Sequence, residues 1–396
     1  VSQRLVLHVI NSLGISGGAE QQLVTNLSRF EDPTITHHVA YLYGGDPGIS
    51  WESEMQTPVT ALNGSSESTP LLVSGRRLFS LVRSLKPDLI HCSLLDASLI
   101  SRLVGRMTRT PVIESLVNIS YEPIRTVDSD AVKMWKLDGY RLVDRLTMRK
   151  VRGFHALTEE VARSWVDTIG LDRDKITVVP RGVSFDAVAA AALQGSEREK
   201  LRRDLIGDPD ALLVLVVGRE EAQKGHRYLL DAFARISSDE IAAHLVMLGR
   251  PGSSTAALTT QIEELGLAGR VHRLGVRNDV YRLMSAADLM VFPSLFEGMG
   301  VSLIEGMASG LPVIVFDRPP MSQIVEHDQS GVVVPDRDID ALARAIVALA
   351  GDPDRRAELG EAAAAAIRRD YDVAKTSRSI ERIYHDILDG GEGRAR

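Results

Sequence analysis

A single cysteine, Cys92, stands among 396 residues. One thiol forms no internal disulfide and fits a reducing compartment. Cys-x2-Cys and His-x3-His pairs are lacking too, so His91, beside Cys92, reads as a strand end rather than half of a metal site. No stretch of about 18 apolar residues occurs, which argues against a membrane-spanning helix. Residues 1–10 are apolar but have neither the long h-region nor the small-residue cleavage site of a signal peptide. These absences lead to the expectation of a cytoplasmic protein. Positive charge is not in excess either. The net charge is −7, which speaks against a nucleic-acid partner. The Gly-x-Gly-x-x-Gly fingerprint is missing, which disfavours a dinucleotide oxidoreductase. No repeat of solenoid length is visible.

What remains is ample for folding. Apolar residues make up 44% of the chain, and its length suits two or three domains. Short apolar runs at 5–10, 38–43, 88–91, 112–116, 153–157 and 175–180 alternate with helical patterns, then again at 212–217, 243–249, 271–275, 289–292, 313–316 and 331–335. Such β–α alternation predicts α/β architecture with parallel sheets, whose ligands bind beyond the carboxyl ends of the strands. Val179-Pro-Arg-Gly-Val183 closes the first half, and a boundary is expected near residue 183. The first domain is then 1–183 and the second 184–373, with a last helix at about 374–388 and a frayed tail at 389–396.

Three strand-to-helix turns carry chemistry. The stretch 293–312 follows an apolar run with Glu297, Gly298, Met299 and Gly300, then a helical pattern from Val301 that includes Glu305. A helix N-terminus behind a glycine loop attracts anions through unpaired amides, and glycine lets the backbone approach a ligand. Eight residues of helical rise place Glu297 and Glu305 roughly 10 Å apart. That is too far for one metal ion, and it suits two ends of a long polar ligand. The second turn is Gly218-Arg219 followed by Lys224-Gly225. Two cations there suit a diphosphate, Arg as a bidentate fork and Lys as a point charge. No Asp-x-Asp stands at this turn, and the cations themselves neutralise a leaving diphosphate, so no metal or other cofactor is expected. The third turn is 14–20, with Gly17 and Gly18 entering a helix.

Together these motifs resemble the retaining glycosyltransferases of family 4. The resemblance rests on Glu297-x7-Glu305 around Gly-Met-Gly, Gly218-Arg219 with Lys224-Gly225, Gly17-Gly-Ala-Glu20 and the Pro-x-Gly-Val at 180–183. It implies the GT-B fold, two Rossmann-like β/α/β domains facing across a cleft. It also implies a nucleotide-sugar donor, with a UDP-sugar favoured and a GDP-sugar the other option. In this resemblance Glu297, Arg219 and Lys224 are catalytic. Glu297 holds donor-sugar hydroxyls, the two cations take the diphosphate, and Glu305 takes the ribose hydroxyls. Gly17, Gly18, Gly218, Val276, Gly298, Met299, Gly300 and Val301 line the donor, and the last helix returns to the first domain. The acceptor is a lipid-linked glycan, a sugar or a small molecule. Rival readings are a nucleotide-sugar epimerase of the same fold and a catalytically silent binding protein.

The chain departs from the family in places. Many members carry a histidine after the strand matching 112–116, where this chain has Val117 and Asn118. Met299 replaces the commoner Phe, and the usual glycine pair is missing at Arg318-Pro-Pro-Met321. Asn118, Tyr121 and Arg125 are the candidate acceptor-side residues. A helix is expected over 135–152, with Lys136, Arg141, Arg145, Arg149, Lys150 and Arg152 against Asp138 and Asp144, and with Leu142, Val143, Leu146 and Met148 between. Such a helix is either a solvated face over a core or a peripheral contact with an anionic membrane.

Overall fold

A computed structural model describes residues 3–14, 18–43, 55–62, 71–121, 134–237 and 241–390. The chain forms two compact units. The first is built from the described residues up to 121, from 134–182 and from 373–390; the second comes from 183–237 and 241–372.

Seven parallel strands make the sheet of the first unit: β1 (Arg4–Ile10), β2 (Ile35–Tyr41), β3 (Val59–Ala61), β4 (Leu89–Ser93), β5 (Val112–Leu116), β6 (Gly153–Ala156) and β7 (Ile176–Val178), in the order β3-β2-β1-β4-β5-β6-β7. Near-continuous apolar runs such as Val6–Ile10 are what a strand covered on both faces requires. Right-handed crossovers in this order put the helices Leu71–Leu85, Leu95–Thr108, Met134–Thr147 and Glu159–Ile169 on one face and Gly18–Leu27 on the other. Thr158 caps the helix Glu159–Ile169 by accepting the Val161 amide at 3.1 Å.

The helix Val373–Gly390 packs beside Gly18–Leu27. Its Ile380, Ile383 and Tyr384 are buried with Val6, Leu89, Ile113 and Val179. Glu381 accepts the amides of Glu31 and Asp32, both at 2.9 Å. The chain returns beside Gly182, where a β-carbon would lie 2.3 Å from the Val373 α-carbon, so only glycine fits.

Two sequence expectations need correction. The helix expected over 135–152 ends at Thr147, because Met148 and Val151 turn into the core through a short 3-10 turn, Met148–Lys150. Arg149, Lys150 and Arg152 therefore leave the α-helix. The strand expected at 175–180 is only Ile176–Val178.

The second unit has six parallel strands: β8 (Leu212–Val217), β9 (Ala243–Leu248), β10 (Val271–Gly275), β11 (Leu289–Phe292), β12 (Val313–Phe316) and β13 (Val332–Val334), ordered β10-β9-β8-β11-β12-β13. After β8 the chain moves outward to β9, whereas β11 lies on the other side of β8. The crevice at the carboxyl ends of β8 and β11 is thus the topological switch point, where open α/β sheets bind ligands.

Candidate active site

Two loops meet at that switch point, one from β8 and one from β11. Lys224 crosses Gly218, whose missing side chain makes the room: a β-carbon there would sit 3.0 Å from Lys224 Cδ. The Lys224 ammonium lies 2.5 Å from Glu297 Oε1 and 5.4 Å from the centre of the Phe292 ring. Backbone and side chain fasten the loops together. The Leu295 amide donates to the Gln223 carbonyl at 2.8 Å, and Gln223 Nε2 donates to the Phe296 carbonyl at 3.0 Å. Gly225 has φ +66°, and a β-carbon there would meet the Pro293 carbonyl oxygen at 1.9 Å. This close approach of the loops, more than the turn itself, demands glycine.

Gly300, with φ +77°, precedes the helix Val301–Ala308, and no side chain caps that helix. An uncapped helix start presents amide donors and a partial positive charge to an anion. Ser302 turns its hydroxyl back, donating to the Val217 carbonyl at 3.1 Å, which ties the helix to β8. Glu297 is buried, as is Met299. Arg219 stands half exposed, with Glu221 at 3.9 Å. Glu305 accepts from the Tyr281 hydroxyl at 3.3 Å. Val276 is exposed just beyond β10.

Two ionisable groups are buried beside these loops, Glu220 and His226. Burial opposes the charge of Glu220, but hydrogen bonds from Arg273 and Thr255 outweigh it and hold the carboxyl below its usual range. His226 heads the helix His226–Ala234. Burial, then the nearby Lys224 charge, pushes it down to about 4, so it stays neutral near pH 7.

The other sequence candidates lie in the first unit. Gly18 accepts through its carbonyl from Arg181 Nη1 at 3.1 Å. Asn118 is engaged twice: its carbonyl accepts from Trp165 Nε1 at 2.8 Å, and its Oδ1 accepts from the Ser120 hydroxyl. The Tyr121 hydroxyl donates to Asp144 Oδ2, and its ring packs edge-on against Trp165. Gly17 and Arg125 lie outside the described residues. Sequence reading thus brings Gly218, Arg219, Lys224, Glu297, Gly298, Gly300 and Val301 to one crevice. It missed Gln223, Tyr281, Ser302 and, in the first unit, Arg181. Nothing in the chain marks Gln223 or Ser302 as more than ordinary polar loop or helix residues; Arg181 lay inside a motif that drew attention only to its glycine.

Val117 and Ser115 border a small cavity of about 30 Å³ together with His8, His91, His155 and Tyr384. The Tyr384 hydroxyl bonds His91 Nδ1 at 2.7 Å, His91 Nε2 reaches Ser115 at 2.8 Å, and Ser115 reaches His155 Nδ1 at 3.1 Å. His155 Nε2 donates to the Val179 carbonyl at 2.8 Å. The missing histidine at Val117 thus stands above a core that holds several others.

Two doubly wound α/β units, the second with a crevice at its switch point formed by the loops after β8 and β11, are a glycosyltransferase architecture of the GT-B kind. Residues 16–187 match the model of Glycosyltransferase Family 4, and residues 197–366 match that of Glycosyl transferases group 1. The chain belongs to this glycosyltransferase family. It is 25% identical over 279 residues, 69% of each chain, to the UDP-Gal:alpha-D-GlcNAc-diphosphoundecaprenol alpha-1,3-galactosyltransferase of Escherichia coli. It is 28% identical to the phosphatidyl-myo-inositol mannosyltransferase of Mycobacterium leprae, covering 77% of this chain and 75% of that one. The crystal structure of HepE from Anabaena in complex with UDP and glucose superposes with a TM-score of 0.82 at 20% identity, covering 96% and 99% of the two chains.

Proposed function

We propose that the chain is a retaining glycosyltransferase that moves a sugar from a nucleoside-diphosphate sugar, with UDP favoured, onto an acceptor hydroxyl. The observation that carries this reading is the meeting of Lys224 and Glu297 at 2.5 Å, beside the uncapped start of the helix Val301–Ala308. In this reading the donor diphosphate lies on the helix amides and draws in Lys224 and Arg219. These preorganised positive groups stabilise the charge that develops as the sugar–phosphate bond breaks. Glu297 holds hydroxyls of the sugar, and Glu305, oriented by Tyr281, takes the ribose hydroxyls. No metal is needed for this chemistry.

Two named proteins support UDP as the nucleotide: the Escherichia coli relative is a UDP-Gal enzyme, and HepE was crystallised with UDP. The acceptor class is a sugar or inositol carried on a lipid, in keeping with the names of the two relatives. An acceptor carried on a lipid would bring the protein to a membrane surface. The test is release of nucleoside diphosphate from UDP-, GDP-, ADP- and dTDP-sugars without added metal, for wild type and Lys224→Ala. Slow release from one donor, lost in the variant, supports the reading. Failure of every donor to bind overturns it. The anomeric configuration of the first transferred product, read by NMR, decides between retention and inversion.

A further inference from the structure

One buried acid beside the donor loops takes no part in the chemistry above. The turn from β8 to the helix His226–Ala234 runs Arg219-Glu-Glu-Ala-Gln-Lys224. Between the two cations assigned to the diphosphate it carries two adjacent carboxylates. An acid so placed is a hazard to an anion site. Turned inward, it repels the incoming diphosphate or takes the cations for itself.

Glu220 is turned the other way. It reaches past β9 to the edge strand β10, where Arg273 grips it with both arms of its fork. Arg273 Nε donates to Glu220 Oε1 at 2.8 Å, and Nη2 donates to Oε2. The Thr255 hydroxyl donates to the same Oε2 at 2.6 Å. A bidentate fork fixes direction as well as distance. The guanidinium is itself held, since its Nη1 donates to the Thr259 hydroxyl at 2.7 Å. Glu221 also faces outward and accepts from the Ser253 hydroxyl.

The backbone follows the side chain. The Glu220 amide donates to the Arg250 carbonyl at 3.1 Å, and its carbonyl accepts the Ser254 amide at 3.0 Å. The loop after β9 comes close enough to demand glycine twice. A β-carbon on Gly252 would lie 2.6 Å from the Glu220 carbonyl oxygen, and one on Gly249 would lie 1.9 Å from that of Gly218. The turn that bears Arg219 and Lys224 is thus held by the Glu297 loop on one side and by β9 and β10 on the other. A buried ion pair seldom adds net stability over apolar side chains of the same size. What this one adds is direction.

We propose that Glu220 and Arg273 are positioning residues for the donor diphosphate: Arg273 draws the carboxylate away from Arg219 and Lys224 and anchors their turn in the geometry that receives the ligand. The proposal rests on the donor-site reading, because it serves the turn which that reading uses. Neither residue touches the ligand in it. Their effect passes through the two cations, whose misplacement by ~1 Å is worth about 100-fold in rate.

The test is calorimetric titration of the full chain with UDP and with UMP, alongside amide hydrogen exchange at residues 219–225 without ligand. The variants are Glu220→Gln, Arg273→Gln and the two together. Arg202→Gln is the control. It breaks the pair of buried Arg202 with Asp288, 2.9 Å apart just before β11, at the end of the sheet opposite the donor loops. Arg273→Gln should speed exchange at 219–225 and weaken UDP about tenfold. UMP should lose less, because the freed carboxylate opposes the second phosphate most. Adding Glu220→Gln removes that charge and should restore part of the affinity. Glu220→Gln alone strands no anion, so it carries the test if Arg273→Gln does not fold, and it should speed the same exchange and weaken UDP roughly three- to tenfold. Arg202→Gln should lower the melting temperature and change neither readout.

Unchanged exchange at 219–225 or unchanged UDP affinity in the two single variants overturns the proposal. So do equal losses for UDP and UMP, or a double variant that binds UDP no better than Arg273→Gln. The same losses in Arg202→Gln mark a general loss of stability and overturn it as well. Binding of another nucleoside diphosphate in place of UDP moves the comparison to that nucleotide and its monophosphate. Failure of the wild type to bind UDP, GDP, ADP or dTDP overturns the donor-site reading and this proposal with it. Wild-type binding that the variants leave intact overturns this proposal alone.

Discussion

The ammonium of Lys224 and the carboxylate of Glu297 meet at 2.5 Å although 73 positions separate them in the chain. Both are largely buried, and the lysine also lies over the Phe292 ring. Each carries a charge that the other neutralises. In the proposed reaction a diphosphate arriving at the helix start would compete with Glu297 for the lysine and free a carboxylate acceptor for sugar hydroxyls. On that proposal, one pair would couple the leaving-group side of the site to the sugar side.

Lys224→Ala is expected to lower turnover by about 30- to 1000-fold, the range for loss of one preorganised stabiliser of developing charge, ~2–4 kcal/mol. Glu297→Gln separates the two roles. It releases Lys224 from its partner, so nucleoside diphosphate should bind at least as tightly as to wild type while sugar transfer falls. Calorimetry with UDP and a turnover assay on the same preparations check both expectations. Weaker UDP binding by Glu297→Gln would contradict the competition described above.

Tyr281→Phe removes the hydroxyl that donates to Glu305 at 3.3 Å. Loss of a hydrogen bond to a charged group costs roughly 1.5–3 kcal/mol at most, and this one is long. Donor KM is expected to rise by about three- to tenfold with little change in kcat. A fall in kcat at constant KM would argue that Tyr281 acts on the sugar and not through Glu305.

Gly225→Ala should destabilise the second unit. The substitution forces an alanine into φ +66° and puts its β-carbon 1.9 Å from the Pro293 carbonyl oxygen. Left-handed backbone and overpacking each cost about 1–3 kcal/mol, and the displaced loop carries Glu297. Thermal unfolding should show the loss of stability, and UDP binding should weaken in parallel.

Arg102 lies buried between Glu114 and Asp144, and Tyr121 donates to the same Asp144. Burial raises the Glu114 carboxyl, against the pull of Arg102. Removing the cation strands two buried acids, so Arg102→Ala should cost about 3–5 kcal/mol. Urea unfolding checks the magnitude. UDP binding to the folded variant should be unchanged, since the donor loops belong to the second unit.

Acid should weaken the first unit through its histidines. Burial lowers all four: His8 well below its usual value with help from His37 and His91, His37 to about 4, His91 to about 3, and His155 against the pull of its bond to Val179. An unfolded histidine titrates near 6.5. Below that pH the unfolded chain binds more protons than the folded one, so stability rises with pH up to about 6.5 and is level above it. As pH falls from about 6.5 toward 4, stability is lost progressively. Asp32, with its carboxyl drawn down to about 2 by bonds from Thr34 and His385, keeps its charge over this window and partly favours protonation of His37. The midpoint of urea unfolding against pH measures the effect, and His91→Gln should flatten the curve.

Local pattern carried most of the fold. Leu212–Val217, Leu289–Phe292 and Val313–Phe316 are strands at their expected limits, because an apolar run bounded by turn residues leaves little choice. Glycines before helices marked the turns at 218–225 and 298–301 for the same local reason. Misjudged boundaries have tertiary causes. Residues 148–152 continue a helical pattern, yet Met148 and Val151 are pulled into the core and end the helix early.

The sequence by itself determined two β/α halves, the glycine-cation turn at 218–225 and the glutamates at 297 and 305, since each is written within a few neighbouring residues. Only the tertiary structure decided that Lys224 takes Glu297 as its partner, that Tyr281 serves Glu305, that Tyr121 belongs to the buried Arg102 cluster, and that four histidines share one core. Those relationships join residues from 23 to nearly 150 positions apart. Their geometry follows from strand order and helix packing, which place side chains by through-space contact and not by position along the chain.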